Sequence, residues 1–302
     1  MSRKAVRMVA SSEKVQQFIR NNLHLGARKR SDSMEQIREL TREVLVSYSG
    51  SEIVEYESHD GSLQQSIWFP ANSEEPSPTV ILFHGNSSRA DLQIDNPVFN
   101  YYREKGFNIL AVEYRGYGIC EGVASTRKQE IQAYYDAEAA FRFLRDQKNI
   151  DPRRMLAHGV SLGGAYAAFL AQKVKSVVLD HTFSSFPAVA SHASKIGLRS
   201  TIYICQKAFP HLRDGEFETD LFDNVRKVRN MEGELLVIRG EEDELMKLEF
   251  GDELIQSRYS EQEVQARRLL TIPGNHSQGF LTFCNEEYRR VFDRFLQESE
   301  LT

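Results

Sequence analysis

After residue 50 the chain alternates short apolar runs of strand length with longer stretches of helical periodicity, and this alternation restricts the fold more than any other feature. Runs at 79–83, 107–113, 155–158, 174–179, 235–239 and 269–272 are short and mostly apolar, and all but 155–158 are rich in Val, Ile, Leu and Phe. Helical spacing covers 95–105, 128–147, 161–172, 221–230, 247–258 and 285–297. Strands that take turns with helices predict a mostly parallel sheet with helices on both faces. Ahead of them, 53–57 and 63–69 flank His59-Asp60-Gly61, which predicts a hairpin. A chain of 302 residues suits about two domains, or one α/β domain with an insertion, and needs no disulfide or metal staple. The stretch at 181–220 is too long for an ordinary connection and predicts a small cap or lid.

Residues 1–47 differ from the rest of the chain. Arg3, Lys4, Arg7, Lys14, Arg20, Arg28, Lys29 and Arg30 face one acid, Glu13, in the first thirty positions. Val15, Phe18, Ile19 and Leu23, and again Met34, Ile37, Thr41, Val44 and Leu45, recur at helical spacing. Two amphipathic helices packed on the main domain satisfy this pattern. A basic helix in peripheral contact with an anionic membrane satisfies it too, and an Arg-rich transit peptide is a third option. Arg3, Lys4 and Arg7 interrupt any signal-peptide core, and apolar runs such as 80–83 and 235–238 fall far short of the ~18 residues of a membrane span.

Over the whole chain, 38 Lys and Arg against 43 Asp and Glu leave a net charge of −5, without the basic excess of a nucleic-acid binder. Cys120, Cys205 and Cys284 form no CxxC pair, so neither a zinc ribbon nor a disulfide framework is expected, and a reducing, cytoplasmic compartment is. Neither GxGxxG at the main glycine turn nor a Walker-type GxxxxGK[ST] occurs, so nicotinamide and nucleotide cofactors lack support.

The chemistry concentrates at 155–164, Met-Leu-Ala-His-Gly-Val-Ser-Leu-Gly-Gly, a strand, a G-x-S-x-G turn and a helix. The glycines let the backbone turn sharply and lift Ser161 onto the carboxyl edge of the sheet, where the next helix aims its free N–H groups. A serine hydroxyl is a weak nucleophile alone, so a base and an orienting acid should come after it in chain order. Asp243, just past 235–239, and His276, just past 269–272, occupy those places. Glu242 and Asp180 are the alternative acids. Phe83-His84-Gly85-Asn86 ends another strand in a tight turn, and the amides of Asn86 and Leu162 are candidates for an oxyanion hole. The His84 side chain reads as structural, His158 and His181 also fall near the edge, and His24, His59, His192 and His211 lack metal-ligand spacing.

His84-Gly85-Asn86, Glu113-Tyr114-Arg115-Gly116-Tyr117-Gly118, Gly159 to Gly163, Gly240 with Asp243, and Gly274 with His276 resemble the motifs of the α/β-hydrolase superfamily. The likeness is greatest to the BEM46-like serine hydrolases, which Thr182-Phe183-Ser184-Ser185 and Val189-Ala190-Ser191-His192 also resemble, and it covers about residues 50–298. The resemblance implies an α/β-hydrolase fold over 48–302 with the cap at about 181–220. It also implies Ser161 as nucleophile, His276 as base, Asp243 as orienting acid, Asn86 and Leu162 as oxyanion donors, and no cofactor. It departs at Glu113, where Asp is more usual, at Cys120, where Ser is common, and in the basic start, where many relatives carry a membrane helix.

The expected activity is hydrolysis of an acyl ester, lipid or acyl thioester through an acyl-serine intermediate. A serine peptidase using the same three residues, or a non-catalytic binding protein that retains the fold, is the alternative. Phe183, Phe186, Ile196, Leu198, Ile202, Tyr203, Ile204, Phe209 and Phe217 make the cap apolar enough to roof an acyl groove or to pack as a stabilising lid.

Overall fold

In the computed structural model, which describes residues 33–302 apart from 74, 87, 95, 122–127, 195–210, 261–267, 277, 279 and 280, helix α1 (Met34–Leu45) comes first. Ser33 and Gln36 start it with reciprocal side-chain to backbone bonds, satisfying two N–H groups that would otherwise be orphaned. Next come the antiparallel hairpin β1 (Glu52–Glu57) and β2 (Leu63–Phe69), then β3 (Thr79–Phe83), α2 (Pro97–Glu104), β4 (Asn108–Val112), α3 (Gln129–Arg142) and β5 (Met155–Val160). The chain continues through α4 (Gly163–Phe169), β6 (Ser176–Asp180), α5 (Phe186–Ser194), the two-residue strands β7 (Arg213–Asp214) and β8 (Phe217–Glu218), and α6 (Asn224–Arg229). It closes with β9 (Glu234–Gly240), α7 (Leu248–Gln256), β10 (Leu269–Ile272), α8 (Leu281–Cys284) and α9 (Glu286–Glu298).

Eight strands of the described residues form one sheet in the order β1-β2-β4-β3-β5-β6-β9-β10, antiparallel at β1, β2 and β4 and parallel from β4 to β10. Alternate residues of each buried strand face opposite sides. Ile81, Phe83, Ala157, Val177, Leu179 and Val237 pack in one cluster with α3, α4, α6 and α7. Val80, Leu82, Leu156, Val178, Leu236 and Ile238 pack in the other with α1, α2 and α9. Ile37 and Leu45 bring α1 into that second layer, while Val44, which the spacing also placed on the apolar face, is 37% exposed. Residues 1–32 of the basic segment lie outside the described residues. Among the described residues no helix is long and apolar enough to cross a membrane.

Five of the six predicted helices are shorter than their periodicity, and two of them show the local reason. The one over 128–147 is regular only to Arg142 and widens to a π-turn over Phe143–Gln147 before Asn149 takes φ +55°. The one over 221–230 begins at Asn224, because Leu221 and Phe222 adopt φ +60° and +49°, and Asp223 caps the shortened helix.

Candidate active site

All the parallel strands end on one edge, with Val160 in register with Asp180, Asp180 with Ile238, and Gly240 with Ile272. Loops leaving this edge converge. Ser161 leaves β5 with φ +53°, an uncommon conformation for a residue with a Cβ, and is held there by its neighbours. Its N–H donates to Asp180 O at 2.8 Å, and its carbonyl accepts from Thr182 Oγ1 at 2.5 Å. The flanking glycines answer to close approach. A Cβ on Gly159 would stand 2.2 Å from Gly163 O, and one on Gly163 would stand 2.1 Å from Phe83 O, so α4 packs directly on two strand ends.

Three distant residues meet here. His276 Nδ1 donates to Asp243 Oδ2 at 2.8 Å, and His276 Nε2 lies 3.0 Å from Ser161 Oγ. The other carboxylate oxygen, Asp243 Oδ1, accepts from the Leu245 and Met246 amides at 2.9 and 2.8 Å, so the acid cannot swing without losing both. The Asp243 side chain is fully buried and that of His276 is 20% exposed, which leaves the imidazole reachable from solvent. An imidazole that donates through Nδ1 has its lone pair on Nε2, facing the hydroxyl.

The turn after β3 stands beside this serine, since a Cβ on Gly85 would lie 3.4 Å from Ser161 Cβ. Among the described residues the Asn86 and Leu162 amides donate to nothing, and Leu162 precedes the first turn of α4. Sequence reasoning missed what fixes this turn. Tyr117 Oη donates to Asn86 Oδ1 at 2.5 Å, and Tyr114 Oη donates to His84 O at 2.7 Å. His84 Nε2 bonds Glu113 Oε1 at 2.7 Å, and Glu113 Oε2 accepts from the Ala90 amide at 3.1 Å, so His84 and Glu113 form a buried brace under the turn. These partners lie about thirty residues apart, and no local spacing pairs them. Arg115 of the same segment is clamped by Asp60 and buried Asp136.

The other candidate residues stand apart from this trio. Asp180 is bonded to His181 Nδ1 at 2.5 Å and lies 3.5 Å from His158 Nε2, so it orients histidines other than His276. Burial opposes its ionisation, but the two imidazoles outweigh burial and hold its carboxyl well below the usual range. Glu242 is exposed and its amide donates to Gly274 O. Cys120 is buried, which pushes its thiol up to about 12 and leaves it inert at neutral pH. Of the apolar residues expected in a cap, Phe183, Phe186 and Phe217 pack into the core, whereas Ile196, Leu198, Ile202, Tyr203, Ile204 and Phe209 lie outside the described residues.

Known proteins share both sequence and architecture with this chain. Residues 74–242 match the family model described as serine aminopeptidase, S33, a stretch that contains the turn after β3 and Ser161 and stops one residue before Asp243. A multifunctional-autoprocessing repeats-in-toxin of Vibrio cholerae is 37% identical over 134 residues, 41% of this chain but 3% of the toxin, so the chain spans only a small part of that relative. The uncharacterized protein YfhR of Escherichia coli O157:H7 is 25% identical over 82% of this chain and 80% of its own. The protein bem46 of Schizosaccharomyces pombe is 23% identical over 61% of this chain and 58% of its own. Of solved structures, an alpha-beta hydrolase from Vibrio vulnificus superposes with a TM-score of 0.65 at 21% identity, covering 95% of each chain. The Pyrococcus furiosus esterase Pf2001 superposes with 0.61 at 18%, covering 91% of this chain and 97% of its own. The fold is that of the α/β-hydrolases.

Proposed function

The chain belongs to the serine aminopeptidase S33 family of α/β-hydrolases, and from that premise we propose that it cleaves a carboxylic ester or thioester through an acyl-serine intermediate. The observation that carries the proposal is the unbroken line from Asp243 through His276 to Ser161, at 2.8 and 3.0 Å. His276 Nε2 takes the proton as Ser161 Oγ bonds to the carbonyl carbon. The oxygen of the tetrahedral intermediate accepts from the Asn86 and Leu162 amides. Collapse breaks the bond to the alcohol or thiol, which leaves with the proton from His276. A water, deprotonated by the same nitrogen, then releases the acid and restores the serine.

Ester cleavage is favoured by likeness to a structure named as an esterase. Peptide cleavage has its own support in the family's description, and uses the same steps with an amine as leaving group. Labelling by a fluorophosphonate, with Ser161→Ala as control, followed by matched nitrophenyl esters, acyl thioesters and aminoacyl anilides, separates these readings. We expect labelling that the control lacks, and turnover of esters or thioesters. Turnover of anilides alone would make the chain a peptidase, and absence of labelling would make it a binding protein.

The nitrophenyl series from acetate to palmitate tests the acyl groove, which a preference ending at acetate would remove. Contact of residues 1–47 with anionic membrane belongs to the same proposal. Co-sedimentation with anionic liposomes that is equal with and without residues 1–32 would retire it.

A further inference from the structure

A side chain of α5 reaches the turn that carries Asp243. His192, half-buried near the end of that helix, donates from Nε2 to Glu244 O at 2.8 Å, and its ring stands edge to face with that of Phe250 in α7, centroids 6.3 Å apart. A carbonyl oxygen only accepts, so this Nε2 carries a proton. The same peptide unit supplies the Leu245 N–H, which donates to Asp243 Oδ1 at 2.9 Å, with the Met246 amide beside it at 2.8 Å. A trans peptide unit is planar with its C=O and N–H pointing opposite ways, so fixing one aims the other. The start of the turn is held by backbone bonds, from the Glu241 amide to Ile272 O at 2.9 Å and from the Glu242 amide to Gly274 O at 3.0 Å. Its middle is the part that His192 holds.

Resting on the serine-hydrolase reading above, we propose that His192 is a positioning residue for that reaction, fixing the Glu244–Leu245 peptide plane and through it the Asp243 carboxylate that orients His276. The relay runs from His192 Nε2 to Glu244 O and from the Leu245 N–H to Asp243 Oδ1. It continues from Asp243 Oδ2 to His276 Nδ1 at 2.8 Å and from His276 Nε2 to Ser161 Oγ at 3.0 Å. A peptide whose carbonyl accepts a hydrogen bond is polarised into a better N–H donor, so His192 acts on the strength of the next bond as well as its direction. Acting only through this relay, it changes kcat and leaves KM in place.

Packing and donation make opposite demands at this position. Phe keeps a ring against Phe250 and loses the donor, whereas Gln loses the ring and places an amide N–H where Nε2 stands. A side chain that only packs is replaced better by Phe, and one that fixes the peptide is replaced better by Gln. Val189 and Ala190, on the buried side of α5, seat the helix in the core, so His192 is presented to Glu244 from a fixed support.

The test measures steady-state kinetics of the full chain, His192→Phe and His192→Gln on an acetyl nitrophenyl ester, with thermal melting of each. Loss of one hydrogen bond in His192→Phe should lower kcat about three- to tenfold with KM within twofold, and His192→Gln should stay within about twofold of the unmutated chain. An unchanged kcat in His192→Phe, an equal or larger loss in His192→Gln, or a change in KM alone overturns the proposal. Imidazole ¹⁵N spectra of the unmutated chain decide the matter even where a variant does not fold. The His192 ring should carry a proton on Nε2, and a ring protonated at Nδ1 alone overturns the proposal. The downfield proton on His276 Nδ1 reads the far end of the relay. It should move upfield in His192→Phe and hold its place in His192→Gln, and an unmoved resonance in His192→Phe counts against the relay. These spectra need no turnover. Failure of fluorophosphonate labelling would therefore remove the serine-hydrolase reading, while the spectra still decide whether His192 sets the Asp243–His276 pair.

Discussion

Replacing Asp243 with Asn tests the chemistry more sharply than deleting the serine, because the structure dictates which way the new amide must face. Asp243 Oδ1 accepts from the Leu245 and Met246 amides, and Oδ2 accepts from His276 Nδ1. In Asp243→Asn the oxygen must stay under those two donors and the NH2 must face His276. The imidazole then has to accept through Nδ1 and carry its proton on Nε2, pointing at Ser161 Oγ, the tautomer that cannot take the serine proton. Turning the amide over restores the tautomer but sets two part-buried N–H donors against an NH2, at about 2–3 kcal/mol each. The productive form therefore lies about 4–6 kcal/mol uphill, which at ~1.4 kcal/mol per tenfold is a 10³- to 10⁴-fold fall in kcat. Steady-state turnover of an activated acetyl ester measures it, with thermal melting to show that the variant folds. Asp180→Asn is the control and should keep kcat at the pH optimum within about tenfold. A kcat for Asp243→Asn within tenfold of the unmutated chain, or a larger loss in Asp180→Asn, would refute the assignment.

Three further outcomes are expected. Tyr117→Phe removes the hydroxyl that donates to Asn86 Oδ1, a neutral hydrogen bond worth about 1 kcal/mol, so kcat should fall about five- to tenfold with KM within twofold; an unchanged kcat would show that the turn holds its shape without Tyr117. Gly163→Ala drives a Cβ to 2.1 Å from Phe83 O, backbone against backbone, and should lower stability by about 2–3 kcal/mol, seen as a drop of several degrees in Tm together with loss of activity. Asp60 supplies a pH dependence. Burial opposes its ionisation, but hydrogen bonds from Arg115 and Ser62 and the charge of Arg115 outweigh burial and hold the carboxyl at about 2. A folded pKa below the unfolded value near 4 adds stability above about pH 4 that is lost as pH falls toward 2. The excess Tm of the unmutated chain over Asp60→Asn should therefore shrink across that window, and a constant difference would contradict the ion pair.

Much of this molecule is legible before any coordinates. The run at 79–83 coincides with β3, because a strand buried on both faces must be continuously apolar, and the run at 269–272 coincides with the edge strand β10, which buries only alternate residues, Leu270 and Ile272. Order along the chain also suggested that Ser161, Asp243 and His276 would come to one edge, since loops leaving the same ends of parallel strands have nowhere else to go. Helix ends were less legible. Leu221 and Phe222 continue an apolar pattern yet sit at positive φ, where Glu130 Oε1 accepts from the amides of Asp220 and Phe222 at 2.7 and 2.8 Å. A carboxylate some ninety residues upstream sets that backbone.

The division between the two sources of information has a simple cause. Periodicity, glycine placement and chain order are local properties, and they determine by themselves that the chain builds a doubly covered parallel sheet with a serine turn at its carboxyl edge. Which carboxylate meets which imidazole is a matter of a few ångströms between residues far apart in sequence. Asp243 rather than Asp180 or Glu242 faces His276, Asp180 is taken by His181, and Tyr117 holds Asn86, only because strand register and close glycine contacts bring those atoms within 3 Å. Hydrogen bonds decay over less than the width of one side chain, so their pairing is settled by the packed tertiary structure.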